Sequence, residues 1–159
     1  MNEKEIYYEK IFDKYSSMVY RLAFSRTNSR YDADDVLQTV FLKLVKSNLE
    51  FSSEEHTKAW LIRVTLNTSK NLLLSAFRRL VLPLEDTLAV EMKESSEVYH
   101  AVMKLSVKYR TVIHLFYFEG YSISEIAKLL GTKEATVKTR LNRARQKLKI
   151  ELEGEEFDV

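Results

Sequence analysis

Between Lys133 and Lys149 the chain sets seven cations, Lys133, Lys138, Arg140, Arg143, Arg145, Lys147 and Lys149, against one acid, Glu134. Clustered in this way, such groups bind anions. They neutralise phosphates and donate hydrogen bonds to base edges. Val137, Leu141, Ala144 and Leu148 recur among them at helical spacing. The spacing predicts a helix with one buried stripe. Lys138, Thr139, Arg140, Asn142, Arg143, Arg145 and Lys147 then share its solvent side. A charged helix face is ordinarily only solvated, but it then mixes Lys with Glu. Here the single acid falls in the first turn, where the helix dipole favours an anion. The remaining charge repels itself unless a polyanion is present, which points to nucleic acid.

Two other groupings could carry chemistry. Asp32, Asp34, Asp35 and His56 could in principle form an acid pair or a metal site. Acids at a helix start are accounted for by capping and the dipole alone, with Asp32 the expected cap. His56 is a lone histidine in a polar stretch, where a histidine is more often solvated than a ligand. No metal or cofactor is therefore expected. Arg63, Asn67 and Lys70 stand at i, i+4 and i+7, Arg78 and Arg79 follow, and no acid interrupts Lys58 to Arg79. This row suits phosphates and unpaired bases, and it also suits a solvated face.

Helices must position all three groupings. Three glycines, one proline and 45% hydrophobic residues predict an all-α protein. Tyr8, Ile11, Phe12, Tyr15, Met18, Val19 and Leu22 give a first helix from residue 5 to about 27. A second runs to about Lys46, with Leu37, Val40, Phe41, Leu44 and Val45 inward and Asp35, Gln38 and Leu42 on another face. That second face hints at a protein contact. Residues 47–57 are a predicted loop. A long helix follows to about Arg79, with Trp60, Leu61, Val64, Thr68, Leu72 and Ala76 inward.

Residues 80–96 hold the only proline and a run of acids, and they read as a linker. This divides the chain into a module over 1–79, a linker over 80–96, a second module over 97–150 and an acidic tail over 151–159. In the second module Val98, Ala101, Val102 and Leu105 form one stripe, and Tyr109, Val112, Ile113 and Phe116 form the next. Ser122 and Glu125 then make a capping box. Gly131 ends that short helix, and Thr132 is the expected cap of the basic one. Two short helices, a glycine turn and a basic second helix suit a DNA-binding helix-turn-helix, two small all-helical domains being joined by the linker. The tail, with five acids, is expected to fray.

Net charge is only +2, so its distribution matters more than its sum. Residues 95–150 carry eleven bases against four acids, and the tail carries none against five. The absence of cysteine removes disulfides and thiolate metal sites. The opening MNEKEIYYEK lacks a signal-peptide core, and no apolar run approaches the roughly 20 residues of a membrane span. A cytoplasmic protein without direct membrane insertion is the expectation.

DADDVLQTVFLKL, AWLIRVTLNTSKN and YRTVIHLFYFEGYSISEIAKLLGTKEATVKTRLNRARQKL, in this order and at these separations, resemble an extracytoplasmic-function (ECF, group 4) sigma factor of bacterial RNA polymerase. The resemblance spans about Tyr7 to Leu148. It implies a factor without an active site that directs core polymerase to promoters and helps initiate transcription. It assigns Asp34, Asp35, Gln38 and Phe41 to the polymerase clamp, Phe41 partly as core. It assigns the loop Ser47–Thr57 to capture of a flipped-out base. Arg63, Asn67, Lys70 and Arg78 then meet the melted minus-ten strand. Lys138, Thr139, Asn142 and Arg143 take base-facing positions at the minus-thirty-five element, and Arg140, Arg145 and Lys147 take phosphates. Arg110 is a further phosphate candidate. Ala135 stands where the family usually has glycine. The implied partners are core RNA polymerase, promoter DNA and an anti-sigma factor. A free-standing helix-turn-helix regulator with an N-terminal sensor domain is the main alternative. A hydrolase using the aspartates and His56 is the other.

Overall fold

The structure, a computed structural model, describes residues 1–78 and 97–157. The linker read over 80–96, together with Arg79, lies outside the described residues. Those that are described form helices and no strand. The chain divides into two compact units, Met1–Glu85 and Asp86–Val159.

The first unit is a bundle of α1 (Glu3–Thr27), α2 (Arg30–Ser47) and α3 (Glu54–Arg78), each packed on the other two. Asn2 and Glu5 cap α1 reciprocally, at 2.8 and 3.2 Å. Asn28 and Asn48 end α1 and α2 in the left-handed conformation that asparagine tolerates better than other side chains. The cap of α2 is Ser29, whose Oγ accepts from the Asp32 amide at 3.2 Å. Asp32 is therefore not the cap but a first-turn acid.

Val19, Leu22, Val36, Val40, Leu44, Leu61 and Ile62 are fully buried between these helices. Each contributes about 1.5–3 kcal/mol by leaving water. On α3 the inward stripe is Thr57, Leu61, Ile62, Thr65, Leu66, Thr68 and Ser69, with Leu61 and Thr68 as expected, whereas Trp60, Val64 and Leu72 are only half-buried. The polar members explain the shift. The Thr65 hydroxyl donates to the Leu61 carbonyl at 2.6 Å, and Arg26 Nε donates to Ser69 Oγ at 3.0 Å. A satisfied hydroxyl can enter a core. Side chains beyond Ser75, including Ala76 and Arg78, lie outside the described ones.

The second unit contains α4 (Glu97–Lys104), α5 (Val107–Ile113), a π turn (His114–Phe118), α6 (Ile123–Leu130) and α7 (Glu134–Phe157). α7 packs on α4, α5 and α6 and is the unit's spine. The π turn closes with the Glu119 amide donating to the His114 carbonyl at 3.1 Å. Its extra residue breaks the i, i+3, i+4 spacing. Leu115 is buried in place of the expected Phe116, and Tyr117 and Phe118 face solvent. Val98, expected inward, is also exposed. The acidic tail does not fray over its described part. α7 runs to Phe157, and Lys104 Nζ holds Glu151 at 2.6 Å.

Candidate functional site

The hairpin that presents α7 is built from local chemistry. Ser122 Oγ accepts from the Glu125 amide at 3.1 Å, and Glu125 Oε1 accepts from the Ser122 amide at 3.0 Å. At the far end of α6, Gly131 sits at φ 65°. The Thr132 and Gly131 amides turn back to the carbonyls of Ala127 and Lys128 at 3.0 and 3.3 Å. α7 starts one residue later than the sequence suggests. The Lys133 carbonyl accepts from the Thr136 and Val137 amides, so Lys133 and not Thr132 holds the cap position.

Val137, Leu141 and Ala144 are fully buried. Their burial fixes the rotation of α7. Lys138, Thr139, Asn142, Arg143, Arg145 and Lys147 are exposed together, with Arg140 half-buried at the edge. Leu148, the fourth stripe residue, is only half-buried. Thr139, Arg140 and Arg143 line a hollow of about 370 Å³ with Lys108 and Tyr109 from α5. Lys108 and Lys147 Nζ stand 5.1 and 5.7 Å from the Tyr109 ring centre. The sequence reading missed Lys108, because nothing in its spacing ties it to a helix some thirty residues away.

Two arginines have specific internal partners. Arg110 is buried, and its Nη1 donates to the Leu105 carbonyl at 2.9 Å and to Met103 at 3.4 Å. Burial lowers its pKa from the usual arginine value. It ties α5 to the end of α4, so the phosphate role suggested for it is withdrawn. Arg145 is exposed but held. Its Nε donates to the Tyr117 hydroxyl at 2.8 Å, and its guanidinium carbon lies 5.6 Å from the ring centres of both Phe116 and Tyr117.

On the first unit, Asp34, Asp35 and Gln38 are exposed along α2. Phe41 is not part of that surface. It is 9% exposed and meets Phe12 edge-on at 4.9 Å. The apolar members of the exposed face are Leu42 and Val45, each 54% exposed, with Tyr31 nearby in sequence. Val45 was expected inward. Instead it borders a groove of about 500 Å³ with Tyr8, Phe12 and Phe41.

Arg63, Asn67 and Lys70 form one exposed row on α3, and Arg78 is the helix's last residue. The row leads back to an aromatic cluster that the sequence reading overlooked. The Phe51 ring stands 5.7 Å from Trp60 and 5.2 Å from His56. The Phe51 amide donates to the Tyr7 hydroxyl at 3.1 Å, and the Tyr8 hydroxyl donates to the Leu49 carbonyl at 3.1 Å. The connection is shorter than expected, because α3 begins at Glu54. His56 thus lies in the first helical turn, with Nδ1 3.3 Å from Ser52 Oγ. Among the described residues no three His, Cys, Asp or Glu side chains gather as metal ligands. Asp32 has its pKa raised, chiefly by burial and secondarily by Asp35, against the lowering effect of Ser29.

A family model described as Sigma-70 region 2 matches residues 11–79, and one described as Sigma-70, region 4 matches residues 95–148. The ECF RNA polymerase sigma factor SigM of Mycobacterium tuberculosis is 31% identical over 146 residues, covering 89% of this chain and 74% of that protein. The RNA polymerase sigma factor SigV of Bacillus subtilis is 30% identical over 144 residues, covering 87% and 86%. Among solved structures, CnrH in complex with the cytosolic domain of CnrY matches with a TM-score of 0.68 and 26% identity, over 92% of this chain and 88% of that one. The sigma factor RpoE of Bartonella quintana, solved with the anti-sigma factor NepR, shares the fold at a TM-score of 0.64 and 21% identity, over 91% and 96%.

Proposed function

The chain belongs to the ECF sigma factors of RNA polymerase, and from that premise we propose which of its surfaces meet which partner. As a sigma factor it binds core polymerase and promoter DNA and acts in transcription initiation. A free-standing regulator is not favoured, because the region 2 model matches where a sensor domain would have to stand.

Residues 1–79 act as the polymerase-binding and minus-ten module, and 97–150 as the minus-thirty-five module. On α2, Asp34, Asp35 and Gln38 contact the polymerase clamp together with the exposed Leu42, while Phe41 supports that helix from beneath. Arg63, Asn67, Lys70 and Arg78 follow the melted strand, with Phe51, His56 and Trp60 at the head of the row offering rings to an unstacked base. Lys138, Thr139, Asn142 and Arg143 face base edges. Arg140, Lys147 and Lys108 face phosphates, and Arg145 stands beside Asn142. The chain has no active site of its own and works in the cytoplasm. No helix among the described residues is long and apolar enough to cross a membrane.

One observation carries this reading: the cationic side of α7 lies opposite a fully buried Val137, Leu141 and Ala144 stripe. That packing leaves this face no other direction to turn. Phosphate contacts weaken steeply with salt, so neither module holds a promoter tightly alone. Polymerase supplies the effective concentration that joins the two contacts. Run-off transcription with core polymerase tests the reading. A promoter-specific start that requires this chain is the expected result, and its absence across a genomic promoter library would remove the assignment.

An anti-sigma partner fits the same surfaces. CnrH was solved with a partner's cytosolic domain, and α2 here leaves Leu42 and Val45 uncovered. A purified partner that forms a stoichiometric complex and blocks transcription is the expected result. A partner that binds while initiation continues undiminished would contradict it.

A further inference from the structure

We infer that Tyr117, on the π turn, belongs to the promoter interface: its hydroxyl and the Arg145 guanidinium form one phosphate site, on the edge of α7 opposite Arg140 and Lys147. This rests on the reading of α7 as the promoter-contacting helix. Arg145 is exposed, yet its guanidinium is held in place. Its Nε donates to the Tyr117 hydroxyl at 2.8 Å, and its Nη1 donates to Asn142 Oδ1 at 3.3 Å. Its guanidinium carbon lies 5.6 Å from the ring centres of Phe116 and Tyr117. These partners are all neutral, and no carboxylate pairs with Arg145 among the described residues. The charge is fixed but not compensated.

The free donors define the ligand. Two of the five N–H groups of the guanidinium are engaged, which leaves three. The Tyr117 oxygen accepts from a cation, so its own proton points away from Arg145, and that bond strengthens the hydroxyl as a donor. Free N–H groups and an O–H beside one positive charge match an anion with several bare oxygens. A phosphodiester has them, and arginine and tyrosine side chains both bind them. A side chain already held in place loses less freedom on binding, so the π turn prepares this contact before DNA arrives.

Helix geometry sets the side. At about 3.6 residues per turn, Arg145 stands on one edge of the buried Val137, Leu141 and Ala144 stripe, and Arg140 and Lys147 stand on the other. Each edge meets a tyrosine from the segment before the hairpin. Lys147 Nζ lies 5.7 Å from the Tyr109 ring centre, and Arg140 shares a hollow with Tyr109 and Lys108. Arg145 meets Tyr117, which the π turn leaves 56% exposed while Leu115 fills the core. A helix in the major groove has a phosphate strand on either side. Thr139, Asn142 and Arg143 lie between the two edges and face the bases. The Tyr109 edge takes one strand, and the Tyr117 edge takes the other.

The test uses holoenzyme assembled from the full chain and core polymerase. Its promoters carry one neutral methylphosphonate in place of each phosphate of the upstream element in turn. Neutralising a contacted phosphate weakens binding, so wild type should show penalties on both strands. Arg145→Met keeps the stem and loses the donors, and it should erase the penalty at one phosphate. Tyr117→Phe keeps the ring and loses the hydroxyl, and it should shrink the penalty at that same phosphate several-fold and at no other. Lys147→Ala should erase a penalty on the opposite strand. All three side chains are exposed, so the fold is not at issue. A Tyr117→Phe chain that binds more weakly but keeps every penalty overturns the proposal, because the hydroxyl then serves only the fold. So do penalties erased on one and the same strand by Arg145→Met and Lys147→Ala. If wild type shows penalties and Arg145→Met erases none, the site alone fails. If wild type shows none anywhere in the element, the reading of α7 fails and takes the site with it.

Discussion

Arg110 Nη1 donates to the Leu105 carbonyl at 2.9 Å inside the C-terminal unit. A cation that looks available for DNA in the sequence is thus spent on closing the turn between α4 and α5. Arg110→Ala leaves that carbonyl without its donor and opens a void. We expect a loss of about 2 kcal/mol or more, read as a lower denaturation midpoint. The salt dependence of promoter binding by the surviving folded fraction should not change. A reduced salt slope would return Arg110 to the phosphate ligands.

Phe41 and Leu42 are neighbours with opposite duties. Phe41 is buried against Phe12, and Phe41→Ala should cost about 3–5 kcal/mol of stability. Leu42 is 54% exposed, and Leu42→Ala should change stability by no more than about 0.5 kcal/mol. The same change should weaken core polymerase binding by about 1–2 kcal/mol. Equilibrium unfolding beside a polymerase-binding titration separates the two. Unchanged polymerase affinity in Leu42→Ala would move the clamp contact off this face.

Arg143 and Lys147 should differ in what they lose rather than in how much. Arg143→Ala should weaken upstream-element binding by about 1–3 kcal/mol and relax sequence preference there. Lys147→Ala should weaken all sequences alike and reduce the salt slope by about one. Binding isotherms on matched and scrambled elements at several salt concentrations check both. Equal losses on every sequence from both changes would abolish the division.

Gly131 holds the left-handed end of α6, and no atom lies within 4 Å of where a Cβ would project. Gly131→Ala should therefore cost only the backbone term of about 1–2 kcal/mol. A much larger loss of stability would mean that the turn depends on something besides its dihedral angle.

Asp32 offers a pH test. Burial holds its carboxyl above the ordinary range, so the charged form is less favoured in the folded chain than in the unfolded one. The penalty is fully present at neutral pH and is relieved as pH falls through the carboxylate range to below the unfolded value. Asp32→Asn should raise the melting midpoint at neutral pH, and the gain should vanish by about pH 3. A gain that grows on acidification would contradict the sign.

Much of this protein is local, and local features were legible. The Ser122–Glu125 box, the Gly131 stop and the Val137, Leu141, Ala144 stripe follow from spacings of three and four, because a helix closes its bonds over that distance. The seven cations between Lys133 and Lys149 likewise needed no fold to be counted, and family motifs spread along the chain carried its function. Contacts over longer separations were decided by packing. Arg110 and Arg145 look alike in the sequence. One is buried at the end of α4, and the other is laid on Tyr117, 28 positions away. Phe41 turns inward and Val45 outward because α1 covers one and not the other. The α3 stripe moved because its hydroxyls found partners within the helix and on α1. Periodicity tells which residues share a face. It cannot tell how far the neighbouring helix extends over that face, or which donor waits there, since those depend on atoms distant in the chain.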